Sequence, residues 1–228
     1  MKGRRGGAVA TEPPVPAPPS RVFFLTPASS AGERARLVFN PDARFPVAEA
    51  LRTPGGAPLG EVFTFLSGLY FRGKLSYARA FARPPAGVPG AVVITPSEGL
   101  VSPDAAVDLD RLRRWAAVPI DAAEPRYRRP LLRDARLVAE AAGPGCEVVL
   151  LGSIASGKYA DVLLEVFGER LLFPATFVGR GDMSRGGLLL RCVDSGRELD
   201  YVPVATSVRH GARPPRLEPR RRPRPAAE

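Results

Sequence analysis

The stretch Glu147 to Tyr159, EVVLLGSIASGKY, carries the sharpest chemical signal in the chain. An apolar run ends in Gly-x-x-x-x-Gly-Lys and a helix-like segment follows. That is the layout of a loop whose amides wrap a phosphate at the start of a helix. Gly152 and Gly157 let the amides turn inward, Lys158 supplies a point charge, and Ser153 and Ser156 add hydroxyls. The residue after the lysine is Tyr159, where a magnesium-dependent nucleoside triphosphatase needs Ser or Thr. No acidic strand end offers a second metal ligand. The pattern reads as a metal-free phosphate cradle, or as a strand–helix turn whose glycines serve geometry alone. No cofactor and no metal are expected.

Three further stretches could contribute. ITPSEGLVSPD, 94–104, holds Ser97, Glu98, Gly99 and Asp104. Glu98 or Asp104 suits a general base or an acceptor for a nucleobase edge, unless the segment is an ordinary Pro-Asp turn. SGLYFRGKLSYARAFAR interleaves Tyr70, Arg72, Lys74 and Arg79, a pattern that suits bases stacked beside phosphate contacts. At helical spacing the same aromatics also suit a core. FVGRGDMSRGG offers Arg180 and Asp182 on a glycine-rich loop able to close over an anion. Ser29, in the loop after the first apolar run, is a further candidate anion contact.

Composition narrows the chemistry. The only histidine, His210, stands where a Pro/Arg tail begins, so His-based nucleophilic triads are not expected. Two cysteines, Cys146 and Cys192, cannot make a zinc site without histidines, and each adjoins an apolar run that suits a buried thiol. Net charge is +10, of which residues 1–20 carry +2 and residues 210–228 carry +4. The excess lies mostly in the tails, so nonspecific contact with a polyanion is expected there. Arginine outnumbers lysine thirty to three. Lys74 and Lys158, the two lysines of the core, therefore mark places that call for a compact, titratable ammonium. No apolar run reaches the length of a membrane span or an export signal, which gives a cytoplasmic location as the expectation.

These residues need a scaffold. Val22–Leu25, Ala91–Thr95 and Glu147–Leu151 read as short buried strands, with a last strand over Leu199–Val204. Helical periodicity covers 60–81, with Gly68 and Gly73 as breaks, then 112–117, 131–142 with Pro130 in the first turn, and the segment ending at Phe167. Residues 182–194 read as a helix capped by Asp182 or Ser184, unless LLLRCVDSGRELDYV, 188–202, is a hairpin turning at Asp194-Ser195-Gly196. Strands alternating with helices predict an α/β three-layer sandwich with a mostly parallel central sheet, one domain over 21–209 between disordered tails at 1–20 and 210–228. In such sheets ligands bind beyond the carboxyl ends of the strands, so the loops at 26–34, 95–104 and 152–159 should converge.

The order of LYFRGKLSYA, ITPSEGLVSPD, a polar Arg/Tyr stretch and VVLLGSIASGKY resembles a group of uncharacterised bacterial α/β domains. It is also similar to the domain attached to archaeal tRNA-guanine transglycosylases and archaeosine synthase. The resemblance covers roughly residues 21–167. It implies an α/β fold linked to modification of nucleic-acid bases, with a role for Gly99, Leu100, Pro103 and Asp104 in the shared loop. The synthase pattern has Pro-Cys and a following Lys-Pro-Tyr near its first strand. Here Ala28 follows Pro27 and Gly32 stands at the lysine position, so that catalytic activity does not carry over.

Three functions compete on these grounds. The first is a nucleic-acid-associated protein of base-modification type (7-deazaguanine chemistry), binding RNA sooner than DNA and either inert or using Asp104 or Glu98. The second is a small-molecule enzyme holding a nucleotide or phosphosugar on the Gly152 to Lys158 loop. The third is an interaction module whose basic tail docks on an acidic partner.

Overall fold

The computed structural model describes residues 18–218. Of the expected tails at 1–20 and 210–228, residues 1–17 and 219–228 lie outside the described residues.

In chain order the elements are β1 (Arg21–Leu25), α1 (Glu33–Phe39), α2 (Pro46–Ala50), β2 (Ala57–Pro58), α3 (Leu59–Ser67), α4 (Leu69–Phe81), β3 (Ala91–Ile94), β4 (Leu100–Val101), β5 (Ala106–Val107), α5 (Leu109–Ala116), α6 (Pro125–Ala142), β6 (Glu147–Leu151), α7 (Ala160–Phe167), β7 (Leu171–Pro174), α8 (Asp182–Ser195) and β8 (Tyr201–Pro203). The main sheet runs β4-β3-β1-β6-β7-β8. Its four inner strands are parallel, and the edges β4 and β8 are antiparallel. β2 and β5 form a separate antiparallel pair.

β1 is buried at all five residues because both of its faces are covered. Successive side chains point to opposite faces. Thus Phe23 meets Tyr77 of α4 edge-on at 5.7 Å, while Phe24 meets Phe167 of α7 at 5.4 Å. Helices α3, α4 and α8 form one outer layer and α6 with α7 the other. The expected three-layer α/β sandwich is present.

Local expectations sort by what the tertiary packing demands. The 60–81 stretch is two helices that part at Gly68, whose φ is +61°. Gly73 is no break. It is the point where α4 touches α8, and a Cβ there would lie 2.8 Å from the carbonyl oxygen of Gly186. The same crossing explains Gly186, which weakens helix propensity yet sits inside α8, where a Cβ would lie 2.7 Å from the Leu69 carbonyl oxygen. The hairpin alternative for 188–202 is excluded because α8 continues to Ser195, and Gly196 follows the helix in the left-handed conformation. Asp108 caps α5, accepting from the Arg111 amide at 2.6 Å. Pro130 is not in a first turn, because α6 already begins at Pro125, with Glu124 as its cap. Residues 210–218 have no regular structure but lie along α8, where Arg180 reaches the Pro215 carbonyl at 3.4 Å.

Among the described residues no helix is long and apolar enough to cross a membrane.

Candidate ligand site at the strand-end rim

The chain passes from β1 to β3 on one side, then crosses back over β1 to place β6 on the other. This reversal opens a crevice beyond the carboxyl ends of β1 and β6. A cavity of about 720 Å³ occupies it. The loop after β1 lines it from Thr26 to Ala31, α3 and α4 add Leu66, Ser67, Tyr70 and Lys74, and the loop after β6 adds Ser153, Lys158 and Tyr159. Trp115 with 116–120, Pro96, and Asp182 at the start of α8 complete the wall.

Lys74 is the centre of this arrangement. The close α4–α8 crossing at Gly73 and Gly186 packs it inside, 1% exposed. Its Nζ donates to the Thr26 carbonyl and, at 3.0 Å, to Thr26 Oγ1. It lies 4.5 Å from the Tyr70 ring centre and 5.1 Å from that of Phe71. Its hydrogen-bond acceptors are neutral. Burial lowers its pKa to about 7; Asp182 pulls it back up and Arg185 pushes it down. Two hydroxyls on the same wall, unlike Lys74, stand unsatisfied. Ser30 Oγ and Tyr70 Oη are buried without a hydrogen-bond partner, although unpaired hydroxyls are costly to bury. Burial raises the pKa of Tyr70, against a smaller lowering by Arg185, so its hydroxyl stays protonated at neutral pH.

The Gly-Lys loop is not built as an amide cradle. The Gly157 amide donates to the Ile154 carbonyl, that of Lys158 to Ser156, and that of Ala155 to Ser153 Oγ. Gly157, at φ +68°, lies against the Asp161 carboxylate, which pairs with Arg209 and would oppose a phosphate there. Gly152 is required because a Cβ would fall 2.1 Å from Thr26 Cγ2. Ser153 and Lys158 face the cavity, whereas Gly152, Ser156 and Gly157 are absent from its wall.

The other sequence candidates divide. Ser29, Tyr70, Lys74 and Asp182 join Ser153 and Lys158 in the cavity. Asp104 does not. The chain reverses after β3 and runs back as β4, carrying Asp104 off the rim to an exposed pair with Arg79. Glu98 acts as a brace: Oε1 accepts from Trp115 Nε1 at 3.1 Å and Oε2 from Arg111 Nε at 2.9 Å. It therefore holds the Trp115 ring, which lines the cavity, and has no place of its own there. Gly99, at φ +69°, lets the Asp134 carboxylate reach the Leu100 amide at 2.9 Å. Ser97 lines a separate depression beside Arg126 and Arg129. Arg180 is spent on Thr176, Ser184 and Pro215. Tyr70, Arg72, Lys74 and Arg79 make no common stacking surface: Tyr70 and Lys74 are buried while Arg72 and Arg79 are exposed. Sequence reasoning missed Ser30, Tyr159 and Trp115. Tyr159 was visible only as a defect in a motif, and the other two have no spacing signature.

No family model matches the chain, and neither a curated protein nor a solved structure matches it. The geometry of the rim carries the functional argument.

Proposed function

We propose that the protein binds a small phosphate-bearing ligand of the nucleotide or sugar-phosphate class in the rim cavity, and acts on it as an enzyme. The observation that carries this reading is the fully buried, cavity-lining ammonium of Lys74 beside two hydroxyls that lack partners. Unsatisfied polar groups and a strongly displaced pKa gathered in one cleft mark a ligand-binding site. Lys158 supplies the phosphate contact. Trp115, Tyr70 and Tyr159 supply ring surfaces against which a base or sugar packs. The likeness of residues 21–167 to base-modification domains agrees with a nucleobase as part of that ligand.

Calorimetric titration with ribose 5-phosphate and the nucleoside 5′-monophosphates tests the proposal. At least one should bind, and Lys158→Ala should weaken it about tenfold or more, the worth of a charge-assisted hydrogen bond. Silence across the panel, or equal affinity in the variant, would remove the reading.

A nucleotide within RNA is the second source of the same chemistry. The segment holding Arg213 and Arg216 favours it, since it lies along α8, whose first residue lines the cavity. A single-stranded RNA should then bind with an affinity that falls as salt rises, because phosphate contacts release counterions. Salt-independent binding would leave only the free small molecule.

A further inference from the structure

We propose that Lys74 forms an imine with the aldehyde of an open-chain sugar phosphate seated in the rim cavity, with Tyr70 serving the carbonyl oxygen and Lys158 the phosphate. This rests on the cavity reading above and narrows it to a carbonyl-bearing substrate.

The surroundings of Lys74 are those of a reacting amine. A lysine kept for structure is paired with a carboxylate when buried. Among the described residues Lys74 makes no ion pair within 4.0 Å, and Asp182 and Arg185 of α8 face it with opposite charges. The aromatic walls of Tyr70 and Phe71 keep it dry. Near neutral pH a large share of it is the free amine, whose lone pair a nucleophile needs. The Tyr70 hydroxyl is a protonated donor with nothing to donate to, one helical turn from Lys74 on α4.

In the step itself the Nζ lone pair forms the C–N bond at the aldehyde carbon. The C=O π pair moves to oxygen, which takes the Tyr70 proton. The phenolate recovers a proton from the nitrogen, giving a carbinolamine. Tyr70 protonates the hydroxyl as the C–O bond breaks, the nitrogen lone pair closes the C=N bond, and solvent reprotonates Tyr70. Overall, a neutral lysine amine, an aldehyde and one proton from solvent give an iminium ion and one water, with no oxidant or reductant.

The chain has three lysines, Lys2, Lys74 and Lys158, so the amine that reacts is easily mapped. The full-length protein would be incubated at neutral pH with 2-deoxyribose 5-phosphate and cyanoborohydride, digested and mapped by mass spectrometry. The reduced adduct should appear on Lys74 at least tenfold faster than on Lys2, Lys158 or the terminal amine, and ribitol 5-phosphate, which lacks the aldehyde, should suppress it. Tyr70→Phe should slow labelling about tenfold or more with little change in thermal midpoint. Lys74→Met should remain folded and lose the adduct. Labelling spread evenly over the amines, or none on Lys74, overturns the imine. If sugar phosphates still bind in a Lys158-dependent way, the cavity reading survives that failure; if they do not bind, both fall.

Discussion

Two ends of the same pair of strands treat buried charge in opposite ways. At the start of β1 and β6, Arg21 Nε donates to Glu147 at 2.8 Å, and the guanidinium also pairs with Glu198 and lies 4.5 Å over the Tyr201 ring. Arg83 joins Glu198 at 3.0 Å, Tyr201 Oη donates to the same carboxylate, and the Tyr77 and Tyr201 hydroxyls meet at 2.6 Å. Every charge in that cluster has a partner. At the other end Lys74 leans on neutral oxygens, and Ser30 and Tyr70 lack partners. The first arrangement closes the fold. The second leaves polar capacity for something that is not part of the chain, at a cost in stability.

The largest expected effect breaks the satisfied end. Arg21→Met strands Glu147, leaves Glu198 to Arg83 and Tyr201 alone, and should cost about 3 kcal/mol in chemical denaturation, with ligand affinity unchanged in the folded fraction. Next is the joint that holds the unsatisfied end. Gly73→Ala forces a methyl onto the Gly186 carbonyl and should cost about 2 kcal/mol by overpacking, and it should also weaken sugar-phosphate binding because Tyr70 and Lys74 move with α4.

The pH dependence of stability sharpens the contrast. Folding lowers the Lys74 pKa from 10.5 to about 7, so above pH 7 the unfolded chain binds more protons at this residue. The contribution of Lys74 to stability should therefore rise with pH from 7 toward 10.5, with a slope approaching about 1.4 kcal/mol per pH unit, opposed above about pH 9 by the tyrosines whose hydroxyls burial holds protonated. The cysteine thiols, raised by burial, oppose this above about pH 8, as the unfolded thiols ionise, so the interval from 7 to 8 reads Lys74 most cleanly. Lys74→Met should flatten that rise, whereas Arg21→Met should not. Smallest of all is Asp104→Asn. Its carboxylate is 71% exposed, so stability should change by less than about 0.5 kcal/mol and ligand affinity not at all.

The scaffold was legible because burial on both faces gives short apolar strands, and the Thr26 and Gly152 loops had to meet once those strands were parallel. The two core lysines also stood out, against thirty arginines. What was not legible follows from topology. Nothing local to SEGLVSPD announces that β4 turns back and takes Asp104 away, or that Glu98 is saturated by Arg111 and Trp115 from a helix not yet folded beside it. The Gly-Lys motif misled for a related reason, because its amides close on the loop itself and its glycines answer to Thr26 and Asp161. Its lysine, paired in space with one 84 positions earlier on α4, is the part that carries chemistry.

A crystal structure of the protein grown with ribose 5-phosphate tests the central claim most directly. The sugar phosphate should lie between the β1 and β6 loops, its phosphate on Lys158 and an oxygen on Tyr70 Oη or Ser30 Oγ. Density for the ligand elsewhere, or an empty rim at saturating concentration, would contradict it.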